Sequence, residues 1–427
     1  ATMIDAVVSA WHFLLALPGS AYFALLWLTI LAEAPRYFLG VQATAAALLF
    51  GERRDTGPIG PLPAVSILLA GHNEEASIEK CIRSLHAQTF KNFEIVCVDD
   101  GSNDRTYEIM SRARRENLVA SVARLELRGG KAAALNLAAR IAKGDIFVVI
   151  DCDCSFEADA IEELLRPFAT DPEIAGSSGN ILVRNWQASI ITSLQAIEYL
   201  LSISLGKAFS DVLDQVVCVS GAFGAFRRDA WERVSGMDVG GGEDLDFTLR
   251  LRSCGYRVVF TRHSICYTDV PDSFYNLWRQ RNRWERDAIW VRYRKYPRLM
   301  NPFSSAFNWR EAFHQWDFII FNMLPTLVSP FYVVWLLVNY GQFGAILLIA
   351  VAMLLFTFDV VTFFAAVLIT GKPIFWRLTP FVPLFGLFQS YVMRMNRLYA
   401  YVTEIIFSSS LRDNYVPQKS RDLMIWR

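Results

Sequence analysis

The sequence predicts an α/β domain with a mostly parallel sheet, flanked by transmembrane and interfacial helices. Three observations lead there. Hydrophobic residues make up 53% of the 427 positions and aromatic residues 14%, with a mean hydropathy of +0.26, which is too apolar for an ordinary soluble enzyme. Long uncharged runs gather toward the two ends of the chain. Between them, from about Pro63 to Tyr267, charges return and short apolar runs alternate with amphipathic helical stretches, the pattern of strand–helix–strand units. A formal net charge of zero leaves no basic field to draw nucleic acid, which is excluded as a partner. Seven cysteines are scattered without CxxC spacing. They read as reduced thiols of a cytoplasmic domain, and no second ligand pair accompanies Cys152 and Cys154 to make a zinc site.

The elements run in order along the chain. Residues 1–62 should hold an N-terminal membrane helix and an interfacial segment. Ala6 to Ala32 carries no formal charge, enough for one tilted helix across a hydrocarbon core of about 30 Å, with a kink point at Pro18-Gly19. Its start has only Asp5 and lacks the basic region of a signal peptide, so a retained helix is expected. Tyr37 to Phe50 is too short to span, and Glu52-Arg53-Arg54 places the following side in the cytoplasm by the positive-inside rule. Residues 63–272 form the α/β domain. Val65–Leu69, Phe93–Val98 and Ile146–Ile150 read as strands and Ala76–Gln88 as a helix. Right-handed crossovers put those strands in one sheet, with ligands beyond their carboxyl ends.

Residues 273–312 read as an interfacial segment that contains Gln280-Arg281-Asn282-Arg283-Trp284, followed by a basic, aromatic helix from about Asp287 to Tyr296. In residues 313–427, Phe318–Tyr340 and Phe343–Thr370 are apolar spans broken only by Asp359. Lys372 and Arg377 in the next loop fit a cytoplasmic return. Leu378–Met393 spans, re-enters or lies at the interface; its length does not decide among these. A basic tail closes the chain.

Asp151 and Asp153 follow a buried strand, and strand periodicity puts both carboxylates on one side and the intervening cysteines on the other. Paired hard oxygen ligands suit Mg2+ or Mn2+, which completes its shell with substrate phosphates. Asp99, Asp100 and Glu74 lie at the ends of two neighbouring strands, where a carboxylate accepts from a base N–H or a ribose hydroxyl. Gly129-Gly130-Lys131 precedes the helical stretch Ala132–Ala142 and can bring a lysine and open backbone to phosphate. Glu243 and Asp244 sit at the N-terminus of an amphipathic helix, Leu245–Arg252; sugar transfer with inversion needs one general base, and Asp244 is the first choice, Glu243 the second. In the arginine-tryptophan motif, Gln280 and Arg283 offer donors to a diphosphate and Trp284 a face for a sugar ring. Each motif also has a plain reading as turn, helix cap or headgroup contact. Asp359 fits either a polymer path or a helix-to-helix hydrogen bond, and His263 either a phosphate contact or a structural role.

Taken in order, Asn73-Glu74, Asp99-Asp100-Gly101-Ser102, Gly130-Lys131, Asp151-Cys152-Asp153, Ser220-Gly221, Gly242-Glu243-Asp244, Tyr267 to Pro271 and Gln280 to Trp284 resemble the membrane-integrated family 2 glycosyltransferases, which include cellulose, chitin, hyaluronan and poly-N-acetylglucosamine synthases. The resemblance covers about residues 63 to 300. It implies a GT-A fold and a UDP-sugar donor, UDP-GlcNAc or UDP-glucose. It places one of Asp99 and Asp100 on uracil, Lys131 near the nucleotide, and Asp151 and Asp153 on diphosphate and metal. Asp244 matches the base, Gln280 and Arg283 the diphosphate-facing positions, and Trp284 the ring under the acceptor, with Glu243 beside it. Glu285-Arg286-Asp287 departs from many relatives and implies a difference in acceptor or linkage. Regulation by a cyclic dinucleotide, as in bacterial cellulose synthases, is not expected.

The leading expectation is therefore a processive inverting synthase in the bacterial inner membrane, its catalytic domain cytoplasmic, extending a β-linked glycan and passing it across the bilayer, with accessory export proteins as further partners. A single-transfer lipid glycosyltransferase, as the similar motif of ceramide glucosyltransferases implies, and a catalytically silent glycan-binding or nucleotide-binding subunit stand as alternatives.

Overall fold

The computed structural model describes residues 60–413 apart from 215 and 239, residues 15–35, and scattered positions at 8–9, 12, 38, 40, 42, 45–46, 49, 57, 417–418 and 421–422. Glu52-Arg53-Arg54 lies outside the described residues, as do most of Tyr37–Phe50, most of the stretch before Leu15, and most of the tail beyond Asp413.

Eight strands form one sheet: β1 Val65–Gly71, β2 Phe93–Asp99, β3 Ser121–Arg124, β4 Ile146–Ile150, β5 Ser155–Phe156, β6 Ile174–Val183, β7 Phe223–Arg227 and β8 Arg257–Thr268. Their spatial order is β3-β2-β1-β4-β7-β6-β8-β5. The three strands expected from sequence are β1, β2 and β4, and they pair in parallel around β1. β4 is buried along its whole length, as a parallel strand covered by helices on both faces must be. The other half is mixed. β7 runs antiparallel to both β4 and β6, β6 and β8 are parallel, and β5 is antiparallel to β8.

The arginine-tryptophan motif lies inside a helix, Phe274–Ile289, so the helix expected from about Asp287 begins well before it. Ser273 caps that helix by accepting from the Asn276 N–H, and the inward face carries Leu277, Arg281, Asn282, Asp287 and Ile289. Three of those five are polar, which hid the amphipathic period from the sequence. A π segment, Trp290–Lys295, continues it.

Among the described residues two helices are long and apolar enough to cross a bilayer, Trp309–Tyr340 and Gln342–Thr370. The first begins earlier than its apolar run because Asn308 caps it, accepting from the Arg310 and Glu311 N–H groups. The apolar N-terminal helix is shorter, Gly19–Glu33. Pro18 stands in extended backbone at its start, so the expected kink is a break. This helix docks on Trp309–Tyr340, with Tyr332 Oη donating to the Leu25 carbonyl at 2.5 Å, and pairs Glu33 with Arg394. The segment Leu378–Met393, whose length left three readings open, runs through short pieces: a 3-10 helix Pro373–Phe381, an α-helix Val382–Leu387 and a π segment Phe388–Met393. The α-helix Arg394–Phe407 comes next. Asp359 is buried against Gly386, where an added Cβ would come within 2.7 Å of its Oδ2.

Gly144 turns the chain into β4 at a point where no side chain fits: a Cβ there would lie 2.6 Å from the Ser66 nitrogen and 2.7 Å from the Val65 carbonyl carbon. Because both are backbone atoms, no rotamer change relieves the clash. Gly144→Ala is expected to cost about 1–3 kcal/mol, read as a lower melting temperature of the detergent-purified protein; unchanged melting would refute this close packing of the turn on β1.

Candidate active site

The loops after β1 and β2 are laced together at one edge of the sheet. Asn73 adopts a left-handed conformation with φ 59°, donating its N–H to Ser102 Oγ at 2.9 Å and accepting at Oδ1 from the Asn103 N–H at 2.9 Å. Asn is among the few non-glycine residues that accept this backbone readily. Glu74 is next, with Ser77 Oγ donating to its carboxylate at 2.6 Å. Burial pushes the Glu74 carboxyl up, Ser77 holds it down, and nearby Asp153 and Asp151 add to the rise.

Asp99 and Asp100 are both buried. Asp99 accepts from the Ser102 N–H at 3.3 Å and pairs with Arg124 Nε at 3.2 Å, which closes the turn after β2. Asp100 accepts from the N–H groups of Gly129 and Gly130 at 2.6 and 2.9 Å. Burial pushes its carboxyl up while those two donors hold it down. Gly130, with φ 88°, then opens the helix Lys131–Ile141. One function of Asp100 is thus to aim Lys131.

Lys131 Nζ donates to Asp151 Oδ1 at 2.5 Å and to the Gly221 carbonyl at 3.0 Å, and stands 3.8 Å from Glu243 Oε1. The Gly221 N–H in turn donates to Asp244 Oδ2 at 3.1 Å. A Cβ on Gly221 would lie 3.2 Å from Lys131 Nζ and 3.4 Å from the Asp244 Cβ, so only glycine lets the two side chains close on one residue without displacement. Glu243 and Asp244 open the helix Glu243–Ser253 behind Gly242, where the partial positive charge of the helix start favours acids. Burial pushes the Glu243 carboxyl up, Lys131 opposes this and Asp244 reinforces it. Glu74, Lys131, Asp151, Asp153, Glu243 and Asp244, drawn from loops far apart in sequence, thus form one cluster.

Within it Asp153 is pushed up by burial and then by Asp151, the signature of two carboxylates competing for positive charge. Thr268 Oγ1 donates to Asp153 Oδ2 at 3.3 Å. Among the described residues no group of three or more His, Cys, Asp or Glu side chains could hold an ion. A divalent cation held by the hard oxygens of Asp151 and Asp153 would therefore need most of its shell from substrate phosphates and water.

The motif helix stands beside this cluster. Arg283 lies close enough to Asp287 to lower its pKa, and Asp287 faces the glycine turn before Glu243, where a Cβ on Gly241 would overlap the Asp287 carboxylate atoms. Gln280 Oε1 accepts from Arg281 Nη1 at 3.1 Å. Trp284 is 42% exposed, and its ring is covered on one face by the Arg281 guanidinium at 4.2 Å. Arg281, given no role from sequence, is buried and paired with Glu198 at 2.9 Å, so it is the support for Trp284. Its burial is invisible in a motif that reads as polar throughout. Arg184 was also missed: it donates to the Asp153 carbonyl at 3.0 Å and to Ser155 Oγ at 3.0 Å while paired with Asp269. Nothing in a lone arginine near Trp186 signals that.

The charged triple Glu285-Arg286-Asp287 has structural partners on neighbouring elements. Glu285 accepts from Tyr401 Oη at 2.8 Å and lies 3.5 Å from Arg397, Arg286 pairs with Asp413, and Asp287 supports the Gly241–Gly242 turn. These charges pack the motif helix against its neighbours. His263 accepts from Arg262 Nε at 3.0 Å in the bulged part of β8.

Residues 66–234 match the family model described as glycosyl transferase family 2, so the chain carries a domain of that family. Poly-beta-1,6-N-acetyl-D-glucosamine synthase of Staphylococcus aureus is 31% identical over 227 residues, 53% of this chain and 55% of that protein. The protein of the same name from Staphylococcus epidermidis is 29% identical over 221 residues, 52% and 53% respectively. The chain thus spans about half the length of the curated relatives it matches. Among solved structures, the mannosyltransferase PcManGT from Pyrobaculum calidifontis, in complex with GDP-Man and Mn2+, aligns over 90% of this chain and 99% of its own with a TM-score of 0.61 at 19% identity. That likeness, with the family match, establishes the GT-A fold.

Burial pushes the Asp287 carboxyl from its ordinary 3.8 up to about 8, against the pull of Arg283. A carboxyl raised in the folded state contributes stability that is fully present below its unfolded pKa and is lost as pH rises through the folded value. The protein should therefore melt lower at pH 9 than at pH 6, and Asp287→Asn, neutral throughout, should flatten that drop in thermal melts; an undiminished drop would assign it to other groups.

Proposed function

We propose that this family 2 glycosyltransferase domain, with its flanking helices, is an inverting synthase that transfers a hexosyl or N-acetylhexosaminyl unit from a UDP-sugar to a growing β-linked glycan at a membrane. The observation that carries the reading is the sharing of Gly221, whose N–H meets Asp244 and whose carbonyl meets Lys131. The proposed base and the proposed phosphate-side cation are thus held by one residue, which fixes them relative to each other, as a positioned transfer step requires. The names of the synthases matched in sequence favour UDP-GlcNAc over UDP-glucose as the donor.

In this reading Glu74, Asp99 and Asp100 frame the nucleotide side, Asp99 and Asp100 through the loops they hold. Lys131 shifts from Asp151 toward the diphosphate, and Gln280 and Arg283 approach it from the motif helix. Asp151 and Asp153 would hold Mg2+ or Mn2+, which when bound offsets the charge of the leaving diphosphate. The acceptor sugar rests on the open face of Trp284, near Glu243. Asp244 takes the proton of the acceptor hydroxyl as its oxygen bonds to the anomeric carbon; the bond from that carbon to the diphosphate breaks, UDP leaves with the electron pair, and the configuration inverts.

A membrane setting, with the domain on the cytoplasmic face of a bacterial inner membrane, is favoured by the two long apolar helices and by Lys372. In the loop after the second of them it donates to Glu157 of the domain at 2.6 Å, so that basic loop and the domain share a side. Passage of the glycan across the bilayer, alone or with accessory export proteins, belongs to the same proposal. The two long apolar helices found among the described residues also suit a second reading, single transfer to a lipid, because two helices enclose little of a path.

Incubating the purified protein with labelled UDP-GlcNAc, and with UDP-glucose in parallel, should yield a ladder of lengthening products from UDP-GlcNAc; one lipid-linked monosaccharide would establish the second reading instead. Asp244→Asn should lower transfer by about 10²–10⁴-fold while UDP binding, followed by calorimetry, stays near that of the parent; normal turnover would remove Asp244 from the role of base.

A further inference from the structure

The helical run from Ile190 to Val212 carries no motif, yet a residue of each of its two α-helices reaches the site. It comprises an α-helix Ile190–Tyr199, a π segment Leu200–Leu205 and an α-helix Gly206–Val212. In the first, Glu198 pairs with Arg281 beneath Trp284. In the second, Lys207 Nζ donates to Ser220 Oγ at 2.5 Å and to Ser178 Oγ at 2.9 Å. Ser220 also donates its N–H to Ser178 Oγ at 3.4 Å, so amine, strand β6 and the turn before β7 form one knot. The next residue is Gly221, whose N–H holds the Asp244 carboxylate.

We propose that Lys207 is a positioning residue for the transfer step: its amine fixes the Ser220–Gly221 turn, and through that turn the orientation of Asp244. The inference rests on Asp244 being the base, and adds a residue that lies outside every motif of the sequence.

Two further features bear on it. The Lys207 side chain is half-buried with its amine turned inward; burial pushes the amine down, while Cys218 and Asp244 draw it up. An enclosed amine is a poor choice for stability alone, since an apolar side chain of similar length would fill the same space without the desolvation cost. Such groups concentrate where charge placement serves chemistry. The π segment before Lys207 is the second feature. One extra residue per π turn rotates the downstream helix by about 100°, and this rotation lets one helical run address both Arg281 and Ser220. The role assigned to Lys207 is exerted through the Ser220–Gly221 turn.

The test uses the full chain in detergent, with Lys207→Met removing the amine at similar length and Lys207→Arg keeping a cationic donor. Lys207→Met should lower kcat by about 10–100-fold, the scale expected when a reacting group is misplaced by about an ångström, with KM for UDP-sugar and the Kd for UDP within about twofold of the parent. Lys207→Arg should recover part of kcat. In an Asp244→Asn background Lys207→Met should cause no further loss, because no base remains to be positioned. Ser220→Ala, which removes only the acceptor hydroxyl, should lower kcat in the same direction and serves if Lys207→Met does not fold. Unchanged kcat in Lys207→Met, loss of UDP affinity in parallel with kcat, or full additivity with Asp244→Asn would each overturn the proposal. An active Asp244→Asn single variant would instead refute the assignment of the base, a separable failure.

Discussion

Like charges brought together must be offset, and at the centre of the acidic cluster the offset comes from an ammonium. Lys131 lies against Asp151 and the Gly221 carbonyl and close to Glu243, with Glu74, Asp153 and Asp244 around them. Without it those carboxylates would face one another at close range in a partly desolvated pocket. Much of the surrounding architecture serves to place this amine. Asp100 clamps the two glycines before it, Gly130 supplies the positive φ that starts its helix, and Gly221 leaves out the side chain that would push it away. An ammonium that already compensates the acidic pair is also one that a diphosphate and a divalent cation can redistribute on arrival.

The second requirement is that elements far apart in sequence be held rigidly around that cluster. Two helices do this. The run from Ile190 to Val212 reaches Arg281 through Glu198 and the Ser220–Gly221 turn through Lys207. The motif helix presses Asp287 into the glycine turn ahead of Glu243 and is itself backed by Arg394–Phe407, where Asn396 Nδ2 donates to the Trp278 carbonyl at 2.9 Å and Tyr401 Oη to Glu285. Each support is polar and at least half-buried, so it carries directional hydrogen bonds that fix one arrangement where apolar contacts would allow sliding.

What the sequence revealed divides along the same physical line. Strands β1, β2 and β4 were legible because fully buried parallel strands are written as unbroken apolar runs, and the acidic motifs stood out because each comes directly after such a run or opens a helix. β6 and β7 were not. Gly176, Gly179 and Gly224 sit in them to admit Val219 and Phe223, and glycines and serines in a strand weaken the apolar signal. The motif helix was misplaced because its inward face carries the polar residues Arg281, Asn282 and Asp287, and the partners of Arg281 and Asp287 come from Glu198 and from the turn at Gly241, information that no local window contains. The partners of the charged triple after Trp284, Tyr401 and Arg397 for Glu285 and Asp413 for Arg286, are likewise distant in sequence.

One consequence of this wiring concerns how the apolar helices and the transfer site share structure. At the end of β8, Tyr267 Oη donates to Glu157 at 2.7 Å, and the same Glu157 oxygen accepts from Lys372 in the loop after Gln342–Thr370. Lys372 and then Tyr267 hold the Glu157 carboxyl down against burial. The neighbouring residue, Thr268, donates to Asp153, and the next, Asp269, holds Arg184 against the Asp153 carbonyl. Three successive residues of one strand end thus join the helix-terminal loop to one carboxylate of the acidic pair. A shift of the loop relative to the domain would act first on the Glu157–Tyr267 contact and then on Asp153, because β8 is hydrogen-bonded to both β6 and β5 and has little freedom to absorb the motion. The strand end therefore forms a rigid mechanical link between the two parts of the protein, and it fixes the distance between the acidic pair and the helices beside it.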